Sequence, residues 1–80
     1  MSNYLLDTSA IVHFLRGDPT YKQIVTDISA KGTLSLSIIT YGELMYGTHK
    51  SPHPKQEKYK LDQFIADLHL YIMPLTVEAV

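Results

Sequence analysis

The sequence of 80 residues contains no cysteine and no tryptophan. The absence of cysteine excludes a disulfide scaffold and a zinc–thiolate site, and it favours a reducing compartment. No apolar run approaches the ~20 residues needed to cross a membrane. Asp7 stands close to the start with no basic leader before it, which argues against a secretory signal peptide. These absences predict a cytoplasmic protein without a membrane partner.

The sequence also has little excess of charge of either sign. Seven basic and eight acidic residues give a formal net charge of −1. This balance argues against a strongly basic nucleic-acid-binding surface, but it leaves room for an enzyme that holds phosphodiesters through metal ions. A hydrophobic content of 45% is typical of a folded chain, and the length allows one small domain with a marginal core.

Short apolar segments alternate with segments of helical periodicity. Strands are predicted at residues 4–6, 33–40 and 71–75, and Pro74 predicts that the third strand lies at an edge of the sheet. Gly17 predicts the end of a first helix and the pair Asp18-Pro19 the start of a second, which Gly32 ends. The alternation indicates an α/β fold with a parallel sheet.

Two predicted helices carry apolar stripes at the spacing i, i+3, i+4, i+7. The stripes comprise Tyr21, Ile24, Val25 and Ile28 in one helix and Leu61, Phe64, Ile65 and Leu68 in the other. A third helix is predicted from Thr40, and a helix start is predicted at Thr76 with Glu78 in its first turn.

Two acids follow predicted strands. Asp7 ends the first strand and Glu43 lies just beyond the second. Sites in open α/β sheets form at the carboxyl ends of strands, so these carboxylates are expected to converge on one crevice. Oxygen ligands of this kind suit Mg²⁺ or Mn²⁺, and Thr8 and Ser9 are candidates to orient a ligand as neighbouring donors.

Each acid also has a structural explanation. Asp7 is a favoured N-cap residue, as is Ser9, for the helix that follows. Thr40 and Glu43 have the T-x-x-E spacing of a capping box, in which the glutamate bonds back to the cap N–H. On spacing alone the capping role of Glu43 outweighs a metal role, and the two roles of Asp7 are evenly balanced.

Other polar residues give weaker signals. His49 and His53 have the i, i+4 spacing of a zinc pair on a helix, but Pro52 and Pro54 favour a loop there. Four lysines between residues 50 and 60 could contact RNA phosphates, although a solvated helix face is the commoner meaning of such a run.

Three segments together resemble the PIN-domain family, in particular VapC-type toxins. They are residues 4–12 (YLLDTSAIV), 15–17 (LRG) and 37–47 (SIITYGELMYG). The resemblance implies a flavodoxin-like three-layer α/β/α fold with strand order 3-2-1-4-5. It implies that residues 1–80 are the N-terminal portion of a single PIN domain, truncated after the third strand.

The resemblance also implies an activity. Members of the family are metal-dependent endoribonucleases, neutralised by a cognate VapB-like antitoxin. Asp7 and Glu43 match the first two acids of the family's set of four, with Mg²⁺ or Mn²⁺ as the implied cofactor, and Thr8 and Ser9 match hydroxyl positions beside the first acid. The resemblance shifts the interpretation of Glu43 towards the site.

Two further hypotheses remain open. In one of them, the chain is a catalytically incomplete half-domain that binds antitoxin or dimerises through the exposed edge of its first strand, because the family's third and fourth acids are absent from this sequence. A flavodoxin-like or receiver-like domain with a regulatory acid pocket is a weaker alternative, because no nucleotide or flavin loop follows the first strand.

Overall fold

The structure is a computed structural model that describes residues 2–74. Three strands and four helices follow one another along the chain. They are β1 (Ser2–Leu5), α1 (Thr8–Leu15), α2 (Pro19–Lys31), β2 (Gly32–Ser37), α3 (Ile38–His49), α4 (Pro54–Asp67) and β3 (Tyr71–Met73). The predicted alternation of strands and helices is confirmed.

The three strands form one parallel sheet in the order β1-β2-β3. The pairing of β1 with β2 continues past the strand, because the Leu6 N–H donates to the Ser35 carbonyl oxygen at 2.8 Å. β3 lies at an edge, as Pro74 predicted, although the proline directly follows the strand and is not part of it. At the other edge, β1 has no second partner strand within residues 2–74.

The core lies between the sheet and the helices. Leu34 and Leu36 of β2 are 2% and 0% exposed, and they face a cluster with a member from every helix. The helical members are Ile11 from α1, Val25 from α2, Leu44 from α3, and Leu61 and Phe64 from α4. The connection from β1 to β2 and the connection from β2 to β3 each lead to the adjacent strand, and both proceed in the same direction across the sheet. Right-handed connections therefore place all four helices on the same face of the sheet.

The opposite face of the sheet is open in the described part of the chain. Side chains alternate along a strand, so the neighbours of Leu34 and Leu36 in β2, such as Ser35, point away from the core. Ser35 is in register with Leu5 and Tyr71, which are 63% and 61% exposed. Residues 2–74 thus supply two of the three expected layers, which are the sheet and one layer of helices.

The helix starts differ from the prediction in two places. Asp7, and not Ser9, caps α1, because the Asp7 carboxylate accepts the Ala10 N–H at 2.8 Å. β2 was predicted to continue to Thr40 but ends at Ser37, whose hydroxyl accepts the Thr40 N–H at 3.0 Å and so caps α3. A hydroxyl three residues before a free amide competes well with strand pairing at this point.

The second helix begins and ends as predicted. Asp18 accepts the N–H groups of Thr20 and Tyr21, Pro19 occupies the first turn, and Gly32 ends the helix. Gly17, at φ +85°, makes the left-handed turn between α1 and α2 that favours glycine.

The apolar stripe of α4 is confirmed, with Leu61 and Phe64 buried and two partly buried neighbours beside them. In α2 the stripe is narrower than predicted, because Ile24 is 48% exposed while Val25 is buried. His49 ends α3 and His53 precedes α4, so the two histidines do not share a helix. The predicted helix start at Thr76 lies outside the described residues.

No helix in residues 2–74 combines the length and the apolar character that crossing a membrane requires.

Candidate functional site

Asp7 is held at the carboxyl end of β1 by the start of α1. Its backbone is extended, and one side-chain oxygen, Oδ1, accepts the Ala10 N–H at 2.8 Å. The expected capping role is therefore present. The other oxygen, Oδ2, has no hydrogen-bond partner within residues 2–74, and the side chain is exposed. Capping occupies one oxygen and leaves the second turned to solvent.

Glu43 lies in the second turn of α3, six residues after the cap at Ser37. The predicted capping box at Thr40 is wrong, because Thr40 is inside the helix and Ser37 takes the cap position. A glutamate this far into a helix cannot bond back to its cap N–H. The local structural explanation for Glu43 is thereby removed, and its partner comes from another part of the chain.

That partner is Thr8. The Thr8 hydroxyl, Oγ1, donates to Glu43 Oε1 at 2.8 Å across 35 residues of sequence. Thr8 is the first residue of α1 and directly follows Asp7 in the sequence. The bond therefore holds the Glu43 carboxylate against the neighbour of Asp7. Asp7, Thr8 and Glu43 are called the acid site below. Ser9, the other predicted hydroxyl, is exposed and makes no side-chain hydrogen bond within residues 2–74.

The acid site has donors that suit a hard cation. Each carboxylate has one oxygen fixed by a hydrogen bond, and its second oxygen has no protein partner in the described part of the chain. Mg²⁺ is commonly held by one or two carboxylates together with waters and substrate phosphate. No group of three or more histidine, aspartate or glutamate side chains suited to a metal occurs within residues 2–74. Within residues 2–74 the acid site would thus offer a cation at most two carboxylates.

Thr8 and Glu43 of the acid site line a groove of about 490 Å³, whereas Asp7 is not among its lining residues. The groove runs between α1, α3 and α4, and its volume falls in the range of about 300–1,000 Å³ typical of ligand pockets. The residues that line it are Thr8, Val12, Leu15, Arg16, Glu43, Leu44, Gly47, Thr48, Ser51, Glu57 and Lys60. The lining includes four charged residues, which are the cations Arg16 and Lys60 and the acids Glu43 and Glu57.

Arg16 and Gly47 were not predicted as site residues from the sequence. Arg16 lies eight residues after Thr8, and Gly47 lies four after Glu43, so each pair shares a helix face. That spacing could have pointed to the groove once Thr8 and Glu43 were known to meet. Ser37, the cap of α3, was not predicted either, although a serine three residues before Thr40 has the spacing of an N-cap.

Comparison with known proteins agrees with this architecture. The family model of the PIN domain matches residues 4–80. Ribonuclease VapC2 of Rickettsia felis is 32% identical over 68 residues, which are 84% of this chain and 51% of that protein.

Two solved structures share the fold. One is VapBC2 from Rickettsia felis bound to a DNA fragment from its promoter, with a TM-score of 0.84 and 27% identity over 95% of this chain and 56% of that one. The other is DNA-bound VapBC from Salmonella typhimurium, with a TM-score of 0.72 and 25% identity over 90% of this chain and 54% of that one.

The chain thus spans about half the length of the relatives that it matches. The resemblance drawn from the two acid-bearing motifs is confirmed, and so is the PIN-like α/β fold, because the match extends over nearly all of the sequence. With a family model that covers residues 4–80, this chain belongs to the PIN-domain family.

Proposed function

We propose that the chain carries the first half of the active site of a VapC-like endoribonuclease, which hydrolyses phosphodiester bonds of RNA. The observation that carries the proposal is the hydrogen bond from Thr8 to Glu43, since it joins the two acid-bearing motifs in one place. The relative named as a ribonuclease supports the choice of reaction.

In this proposal Asp7 and Glu43 hold Mg²⁺ or Mn²⁺ through the oxygens that the protein leaves without partners. A cation held there would supply positive charge near the scissile phosphate and would lower the pKa of a water. The chain's own residues orient the ligands. The α1 amide of Ala10 fixes the Asp7 carboxylate, and the Thr8 hydroxyl fixes that of Glu43.

The test is cleavage of an end-labelled RNA by the 80-residue chain with Mn²⁺, compared with Asp7→Asn and Glu43→Gln purified in the same way. Both substitutions keep an oxygen that accepts the existing hydrogen bond, so the fold is retained while the charge is lost. Cleavage that disappears in both variants supports the proposal. Equal cleavage by the wild type and both variants would show that the activity does not come from this site.

A second candidate function is binding without catalysis. It is favoured by the two-acid content of the described site and by solved relatives that are toxin–antitoxin complexes. In this case the chain is a catalytically incomplete half-domain that retains a VapB-like antitoxin. Tight antitoxin binding together with the absence of Mn²⁺-dependent cleavage is the result that distinguishes it.

Partners and location complete the proposal. A VapB-like antitoxin is the expected inhibitor of the active form. Self-association through the edge of β1 is expected because that edge has no partner strand within residues 2–74. A cytoplasmic location follows from an RNA substrate and agrees with a sequence that has no cysteine.

A further inference from the structure

The groove that leads away from the acid site has features that the two acids do not explain. Arg16, at the end of α1, lines it and makes no ion pair within residues 2–74. Lys60, from α4, lines it as well, and its Nζ stands 3.8 Å from Glu57 Oε1. A guanidinium without an acidic partner in an open groove is suited to bind an anion, because its planar fork matches phosphate oxygens.

The groove also connects this cation to Thr8 and Glu43 of the acid site. Thr8 and Arg16 both lie on its α1 side, eight residues apart, which places their backbones about 12 Å apart along the helix. A ligand that reaches both is extended, and with the proposed cation bound at the acid site it can place one anion there and another near Arg16. A polymer with a phosphate at each unit meets this requirement.

The floor of the groove is open at Gly47. A Cβ built at this residue would meet no atom within 4 Å, so the absence of a side chain leaves room in the groove rather than relieving a clash. Val12, Leu15 and Leu44 also line the groove, with apolar side chains. Such a surface can accommodate the flat face of a base, while the cations bind the backbone.

We propose that the groove between α1, α3 and α4 holds the RNA strand that adjoins the scissile phosphate. Arg16 binds a neighbouring phosphate, and Gly47, which has no side chain, leaves space for the strand. The inference rests on the proposed function and deepens it, since it assigns the substrate path to residues outside the acid site. Arg16 is a positioning residue here and takes no part in bond cleavage.

Direct binding separates this inference from catalysis. A fluorescein-labelled single-stranded oligoribonucleotide is titrated with the 80-residue chain in EDTA, so that cleavage is absent, and anisotropy is recorded at several salt concentrations. Arg16→Ala is expected to weaken binding roughly tenfold and to lower the salt slope by about 0.7, the value for one phosphate contact on a single strand. Lys22→Ala, an exposed cation of α2 outside the groove, is expected to change neither quantity.

Substitution at glycine supplies a second, steric test. Gly47→Phe fills the groove, whereas Gly42→Phe makes the same change in the same helix at a position that does not line it. Both variants should fold with similar stability, which thermal unfolding checks. Gly47→Phe is expected to abolish RNA binding, and Gly42→Phe to leave it unchanged.

The outcomes distinguish the two proposals. RNA binding that needs Arg16 and an open Gly47, without Mn²⁺-dependent cleavage, supports the groove and overturns the activity of this chain. Cleavage with unchanged RNA affinity and KM in both groove variants overturns the groove and leaves the activity. If Gly47→Phe blocks an antitoxin peptide but not RNA, the groove is a protein-binding surface and the inference is wrong.

Discussion

The Thr8 hydroxyl donates a hydrogen bond to Glu43 Oε1 at 2.8 Å, joining the start of α1 to the second turn of α3. This contact is the physical link between two sequence motifs that lie 35 residues apart. It leaves the other Glu43 oxygen available and sets the direction in which the carboxylate points. The properties of the acid site should therefore depend on Thr8 even though Thr8 carries no charge.

The first prediction concerns that hydroxyl. Thr8→Val removes the donor with little change of shape, and Mn²⁺ affinity is expected to fall about 10- to 100-fold, as is typical when the partner of a ligand is lost. Thr8→Ser keeps the hydroxyl and should bind Mn²⁺ nearly as the wild type does. Titration followed by electron paramagnetic resonance measures both. An unchanged affinity in Thr8→Val would show that the hydrogen bond does not orient a metal ligand.

The second prediction separates the two roles of Asp7. Asp7→Asn keeps an oxygen to accept the Ala10 N–H, whereas Asp7→Ala loses the cap of α1 and should cost about 1 kcal/mol in the free energy of unfolding. Mn²⁺ binding should be lost in both variants, because neither retains the charge. Urea unfolding and metal titration give the two readouts.

Asp18 provides a control for this experiment, since it caps a different helix, α2, where its Oδ1 accepts the N–H groups of Thr20 at 2.9 Å and Tyr21 at 3.4 Å. Asp18→Ala should lower the free energy of unfolding by a similar amount and leave Mn²⁺ affinity unchanged. Loss of metal binding in Asp18→Ala would mean that Asp7→Ala acts through stability alone.

The elements that could be predicted from the sequence are those with local signals. The turn between α1 and α2 is an example: Gly17 adopts a positive φ, Asp18 caps α2, and Pro19 occupies its first turn. These features depend on only a few adjacent residues. The periodicity of the apolar residues in α4 is enough to predict that Leu61 and Phe64 lie on its buried face.

The errors arise where two local signals compete. Residues 33–40 alternate like a strand, but the Ser37 hydroxyl accepts the Thr40 N–H, so the N-cap lies three residues before the predicted cap at Thr40. The same shift moved Glu43 out of the capping box. Its contact with Thr8 is non-local and follows from how α1 and α3 pack, so no spacing in the sequence could reveal it.

The third prediction concerns a close approach of two strands. A Cβ at Gly32 would overlap the carbonyl oxygen of Ser2 in β1, and a backbone atom cannot rotate out of the way as a side chain can. Gly32→Ala should therefore lower the free energy of unfolding by about 1–3 kcal/mol, the usual effect of overpacking.

Gly42→Ala is the control for that change. Gly42 lies in α3 with nothing within 4 Å of a Cβ, and the substitution should raise the free energy of unfolding by about 1 kcal/mol through helix propensity. Urea unfolding of the two variants should thus move in opposite directions. A stabilised Gly32→Ala would mean that β1 and β2 approach less closely than the structure shows.

The last prediction concerns the open side of the sheet. Leu5 is 63% exposed on β1, at the edge without a partner strand within residues 2–74, and its row continues through Ser35 to the exposed Tyr71. An apolar residue on an unpaired edge favours pairing with another chain, and a lysine there opposes it. The wild-type chain is expected to sediment above its monomer mass of 9.1 kDa at micromolar concentration, and Leu5→Lys to sediment as a monomer.

Ile39→Lys controls for the general effect of adding charge, because Ile39 is similarly exposed at 59% but lies on α3, away from the sheet edge. It should associate as the wild type does. Equal loss of association in both variants would assign the effect to net charge. A monodisperse wild-type monomer would show that the β1 edge does not recruit a second copy, and the exposed Leu5 would then need another partner.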